Sequence, residues 1–215
     1  MKVVYRAGTR GFTLIELMIG VSVTAGLFYA ITMITISASN TYDGTMRRSN
    51  LVSKAHQVLD RITDEFVEAE LSTMSPALVG VGASTITYRV PDSLVGSVIT
   101  WSGNRTISFQ VDQGEFDDGI DNNGDGRIDE GVVLLTIDVG LPTQQQVTLA
   151  HQVRSLLAGE IGNLGDDNGN VMADERGLVF ELNGNVLTIR LTLENIDEDG
   201  NFLSKTVQTS VRIRN

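Results

Sequence analysis

Arg10-Gly11-Phe12-Thr13-Leu14-Ile15-Glu16-Leu17-Met18 is the stretch on which the fold turns. Before Gly11 stand three basic side chains, Lys2, Arg6 and Arg10, and no acidic one. After Glu16 the next charged side chain is Asp43, so Leu17 to Tyr42 is a run of 26 uncharged residues. As a helix this run is about 39 Å long, more than the roughly 30 Å of a hydrocarbon core, and it has the length to span a membrane. With the basic residues on its N-terminal side, the positive-inside rule puts the N-terminus in the cytoplasm and the rest of the chain outside. A secretory signal carries a small-x-small site after a short apolar core, whereas here the run is long and the glycine precedes it. Glu16 is the anomaly. A carboxylate in a membrane helix costs about 2.5 to 3.5 kcal/mol at mid-bilayer and less near an end, so it calls for a partner and a function.

The same nine residues resemble the processing site of type IV prepilins and type II secretion pseudopilins. The resemblance implies that residues 1–11 are a cytoplasmic leader, that a prepilin peptidase cuts between Gly11 and Phe12, and that the new amino terminus of Phe12 is methylated. It also implies that Glu16, then the fifth residue, pairs with the terminal amine of a neighbouring subunit during assembly. Such pairing supplies the partner that a charge in lipid requires. The implied partners are other pilin or pseudopilin subunits, the peptidase, an inner-membrane assembly platform, and membrane lipid before assembly. Loss of the leader removes three positive charges and takes the formal net charge from −11 to −14. The helix-bending proline usual in the family is missing, since the prolines are Pro76, Pro91 and Pro142. Gly20, Gly26 and Gly44 are the candidates for flexibility instead.

Beyond Tyr42 the pattern becomes amphipathic: Leu51, Ala55, Val58, Leu59, Ile62, Phe66 and Ala69 recur at spacings of three and four. One helix is therefore expected over residues 12–71, about 90 Å long, with residues 12–42 the membrane part and Ser75-Pro76 beyond its end. From there the period changes to two. Ile86, Tyr88 and Val90 form one run, Ile107, Phe109 and Val111 a second, and Val133, Leu135, Ile137 and Val139 a third. Val147, Leu149 and Val153 follow the Pro142 turn. Leu187 to Leu193 and Val207 to Ile213 then alternate on either side of Asp199-Gly200-Asn201, a hairpin turn. The expected class is α+β: the upper half of a long helix packed on an antiparallel sheet in a β-rich domain, residues 72–215. This layout resembles the larger minor pilins of the PilW type and the J-type pseudopilins, which implies a pilin-like fold. It leaves open a pilus subunit, a secretion pseudopilin, or a tethered domain that never polymerises.

Two acidic loops, near 117–130 and 166–175, interrupt the strand pattern. In the first, Asp121, Asn123, Asp125 and Asp129 occupy positions 1, 3, 5 and 9 of a calcium loop. Gly126 is at the turn position, and Arg127 stands where a backbone carbonyl would serve as ligand. Position 12 is Val132, so the bidentate glutamate of an EF-hand is missing, and Asp117, Asp118 or Glu130 are candidates to complete the shell. Asp166, Asn168 and Asn170 with Asp174 and Glu175 repeat the spacing less well, because Val171 takes the glycine position and two of the ligands are neutral. Structural Ca2+ is the cofactor to test, against a plain polar turn rich in aspartate and glycine.

The negative charge repels nucleic acid phosphates, and no basic stripe is available for a backbone to follow. The absence of cysteine excludes disulfides, thiolate metal sites and cysteine nucleophiles. His56 and His151 read as structural, His151 on one strand face with Val147, Leu149 and Val153; nothing resembles a nucleophile elbow, and Gly80 and Gly82 neither follow a strand nor open a helix. The sequence therefore gives no catalytic constellation, and a filament subunit rather than an enzyme is expected.

Overall fold

The computed structural model describes residues 11–76, 82–169, 172–197 and 200–214. Lys2, Arg6, Arg10, Asn170, Val171 and Asp199, all named above, lie outside the described residues. The chain divides into two compact units, with the division between Met46 and Arg47.

The first unit is helix throughout from Leu14, where α1 (Leu14–Val67) begins. Every residue from Gly11 to Asp43 is exposed. The helix runs unbroken through Gly20, Gly26 and Gly44. Its polar side chains are mostly hydroxyls, and these turn back on the helix. Ser22, Thr24, Thr32, Thr35, Thr41 and Thr45 each donate to the carbonyl four residues earlier, at 2.7 to 2.9 Å. Hydroxyls satisfied in this way add no unpaired donor to an apolar surface.

The second unit begins with the rest of α1. Its buried residues are Leu51, Ala55, Leu59, Ile62 and Phe66, the stripe that the three-and-four spacing marks. This stripe packs on a sheet whose inner face supplies Ile86, Tyr88, Ile107, Val133, Phe180, Ile189, Leu191 and Val207. Phe66 sits at the centre of the contact, with ring centroids 4.8 Å from Tyr88 and 5.9 Å from Phe180. The arrangement is α+β: one long apolar N-terminal helix with an antiparallel sheet.

The strands are β1 (Thr85–Tyr88), β2 (Pro91–Val95), β3 (Val98–Trp101), β4 (Arg105–Val111), β5 (Gly131–Ile137), β6 (Gln145–Val153), β7 (Leu178–Asn183), β8 (Val186–Ile196) and β9 (Phe202–Arg212). In the main sheet β1, β4, β5 and β6 are antiparallel neighbours in that order. β6 meets β8 through Val153 and Leu193, and β8 carries β7 and β9 along its length. β2 and β3 form a separate two-stranded hairpin. At one end of the sheet Val111 pairs with Gly131 and Gly131 with Val153. Both acidic loops, one joining β4 to β5 and the other β6 to β7, therefore leave from that same end.

Three departures from the sequence reading have local causes. The helix stops at Val67 rather than near Leu71, because Glu70 is extended and bridges Arg214 while the Leu71 amide donates to the Arg214 carbonyl at 3.0 Å. β7 escapes a period-two reading because Leu178, Val179 and Phe180 are consecutive and all buried, as in a strand covered on both faces. In β6 the alternation breaks where the register shifts against β5 and Gln152 takes φ 63°. Ala150 and Val153 are consequently buried while His151 is exposed, contrary to its expected place on the face of Val153.

Candidate functional site

At the start of α1, Thr13 and Glu16 form a reciprocal cap. The Glu16 amide donates to Thr13 Oγ1 at 3.3 Å, while Glu16 Oε2 accepts from the Thr13 amide at 2.9 Å and from Thr13 Oγ1 at 2.8 Å. This is a capping box, and Thr-x-x-Glu is its sequence signature. The sequence reading left Thr13 without a role. Phe12 and Glu16 lie beside Gly20, Thr24 and Phe28 along a shallow apolar groove on the helix surface, all within the first unit. Among the described residues α1 is the one helix long and apolar enough to cross a membrane.

The first acidic loop is organised by its own backbone. Asp121 accepts from the amides of Gly124 at 2.6 Å and Gly126 at 2.8 Å, Asn123 Oδ1 from the Asp125 amide at 2.9 Å, and Asp125 Oδ1 from the Arg127 amide at 2.9 Å. Asp125 is also ion-paired with the Arg127 guanidinium. Asp129 points elsewhere, its carboxylate accepting from the amides of Asp118 at 3.0 Å and Gly119 at 2.8 Å. Asp121, Asn123 and Asp125 thus close turns within residues 121–127, while Asp129 holds the backbone at 118–119. Two glutamates that the calcium spacing does not include as ligands are buried beneath the loop. Glu115 Oε1 accepts from the amides of Asn122 at 3.0 Å and Asn123 at 2.7 Å, and Glu130 Oε1 accepts from Asn123 Nδ2 at 2.9 Å. Burial pushes the Glu130 carboxyl above its ordinary range.

The second loop repeats several parts of this construction at a constant offset. Glu160, Asp166, Asn168, Gly169, Asp174 and Glu175 each stand 45 positions after Glu115, Asp121, Asn123, Gly124, Asp129 and Glu130. Asp166 accepts from the Gly169 amide at 2.7 Å as Asp121 does from Gly124. Asp174 accepts from the amides of Asn163 and Leu164 as Asp129 does from Asp118 and Gly119. The backbone agrees: φ is 53° and 52° at Asp129 and Asp174, and 78° and 77° at Gly124 and Gly169. Arg176, just past the second loop, lies 5.6 Å over the Phe109 ring and donates to Asp117 of the first at 3.0 Å, which ties the two together and holds the Asp117 carboxyl below its ordinary range. Glu115 and Glu160 were not singled out from sequence. The constant spacing between the two acidic segments is the signal that finds them.

Among the described residues no three Asp, Glu or His side chains are gathered around one point that would hold a metal ion. His56 is exposed, and His151 lies 4.0 Å from Asp112. No family model matches the chain, nor does any curated protein or solved structure.

Proposed function

We propose that the chain is a prepilin-type subunit, a minor pilin incorporated into, initiating or capping a type IV pilus filament. The observation that carries this reading is the junction at residues 10–18: a glycine after basic residues, then Phe12, then one glutamate at the head of a long apolar helix. The exposed apolar residues from Phe12 to Tyr42 support it, because such a surface needs lipid or other helices around it. The helix-on-sheet arrangement of the second unit is the architecture such a subunit requires. In this reading cleavage after Gly11 creates an amine at Phe12, and the amine of a neighbouring copy pairs with Glu16. Both cap contacts of Glu16 use Oε2, and we assign Oε1 to the incoming amine.

Glu16→Ala in the native host tests the reading. The variant is expected to reach the membrane at the wild-type level and to be missing from sheared, purified filaments, in which the wild-type chain starts at methylated Phe12 by mass spectrometry. Normal incorporation of the variant refutes the role of Glu16, and an unprocessed N-terminus in filaments refutes the cleavage.

A further inference from the structure

We propose that residues 114–130 form a calcium site whose inner ligands are the buried carboxylates of Glu115 and Glu130, with Asn123 and Asp125 at the rim. We further propose that calcium binds there and not at the repeat, where both oxygens of Glu160, the counterpart of Glu115, are already taken. This goes beyond the filament reading and does not depend on it.

Two buried oxygens point to the ligand. Glu115 is 6% exposed and Glu130 1%, and Oε2 of each has no hydrogen-bond partner. Their other oxygens both bind Asn123, one through its amide and the other through its side chain, so the two carboxylates flank the same residue. Buried charges of one sign, each with an empty acceptor, are costly unless a cation joins them. A hard divalent cation takes six to eight oxygens from carboxylates, side-chain carbonyls and water, so two glutamates, Asn123 and Asp125 leave room for waters. Asp125 reaches the ion by releasing Arg127. The irregular loop suits calcium better than magnesium, which requires a near-ideal octahedron.

Among its described residues the second loop differs from the first at one glutamate. Glu160 is as buried as Glu130, but both its oxygens are used: Oε1 accepts from the Asn168 amide at 3.2 Å and Oε2 from the Asp174 amide at 3.0 Å. The counterpart of Asp125 is the neutral Asn170. Glu175 is buried like its counterpart Glu130, so the two loops differ at Glu160, whose two oxygens backbone amides already occupy.

The test uses the full chain in detergent, stripped with a chelator and dialysed against calcium chloride up to 1 mM, with bound calcium measured by atomic emission. One calcium per chain is expected, not displaced by equimolar magnesium. Glu130→Gln and Asp125→Ala are each expected to weaken binding at least tenfold, and Asp166→Ala to leave it unchanged. No bound calcium at 1 mM overturns the site. Two per chain, or a loss on Asp166→Ala, overturns the assignment to the first loop alone. Should Glu130→Gln fail to fold by circular dichroism, the exposed rim variant Asp125→Ala decides, and wild-type binding by it refutes the proposal.

Discussion

Tyr88 shows what one polar atom does inside the core of the second unit. Its hydroxyl donates to Glu65 Oε2 at 2.9 Å, and Arg105 Nη1 reaches the same oxygen at 2.8 Å, so a helix carboxylate is shared by two strands. Burial, reinforced by the Glu65 charge, pushes the Tyr88 hydroxyl far above its ordinary value. The unfolded phenol ionises near pH 10 while the folded one stays protonated. The stability contributed by Tyr88 is therefore complete below pH 10 and falls as the pH rises above it, by about 1.4 kcal/mol per unit. Tyr88→Phe removes that slope. Urea unfolding of the two proteins at pH 9 and pH 11 is expected to show the wild-type advantage shrinking by about 1 kcal/mol or more between them. An advantage independent of pH would mean that the hydroxyl ionises freely.

At the scale of the element, α1 is a helix with two kinds of evidence in its sequence. The stripe from Leu51 to Phe66 was legible because a buried face imposes its period on the residues. The end was not, because it depends on Arg214, a residue distant in sequence that draws Glu70 and Leu71 into extended pairing. The start was half legible: Glu16 stood out as a charge, yet Thr13, which holds it, did not. Thr13→Val removes both side-chain contacts of the cap and is expected to cost the helix start about 1 kcal/mol. Hydrogen exchange of the full chain in detergent should then show faster exchange for the amides of Leu14 to Leu17, with the amides near Leu59 unaffected. Among the strands, β8 and β9 alternate cleanly and were readable. β7 is apolar on both faces, and β2 and β3 are largely exposed, so neither kind carries the alternation on which a reader relies. The acidic loops were visible through their aspartates and asparagines. Of their buried glutamates Glu130 and Glu175 were visible beside the aspartates, while Glu115 and Glu160 were hidden, since burial is not written in a local spacing.

The whole molecule joins an apolar segment without buried residues to an acidic unit with a full core. The helix of the first unit is long and apolar enough to cross a membrane. Alkaline carbonate extraction of expressing cells is expected to leave the full chain in the membrane pellet, and a chain lacking residues 12–42 to appear in the supernatant. Recovery of the full chain in the supernatant would exclude an integral anchor. The back-bonded hydroxyls of Ser22, Thr24, Thr32, Thr35, Thr41 and Thr45 have a bearing on what receives this segment. Each carries its own acceptor with it, so moving these six hydroxyls from one oily medium to another breaks none of these contacts. The segment is portable in this sense, and the choice among receiving surfaces falls to shape, with Glu16 the one side chain between Phe12 and Tyr42 whose charge a new host must answer.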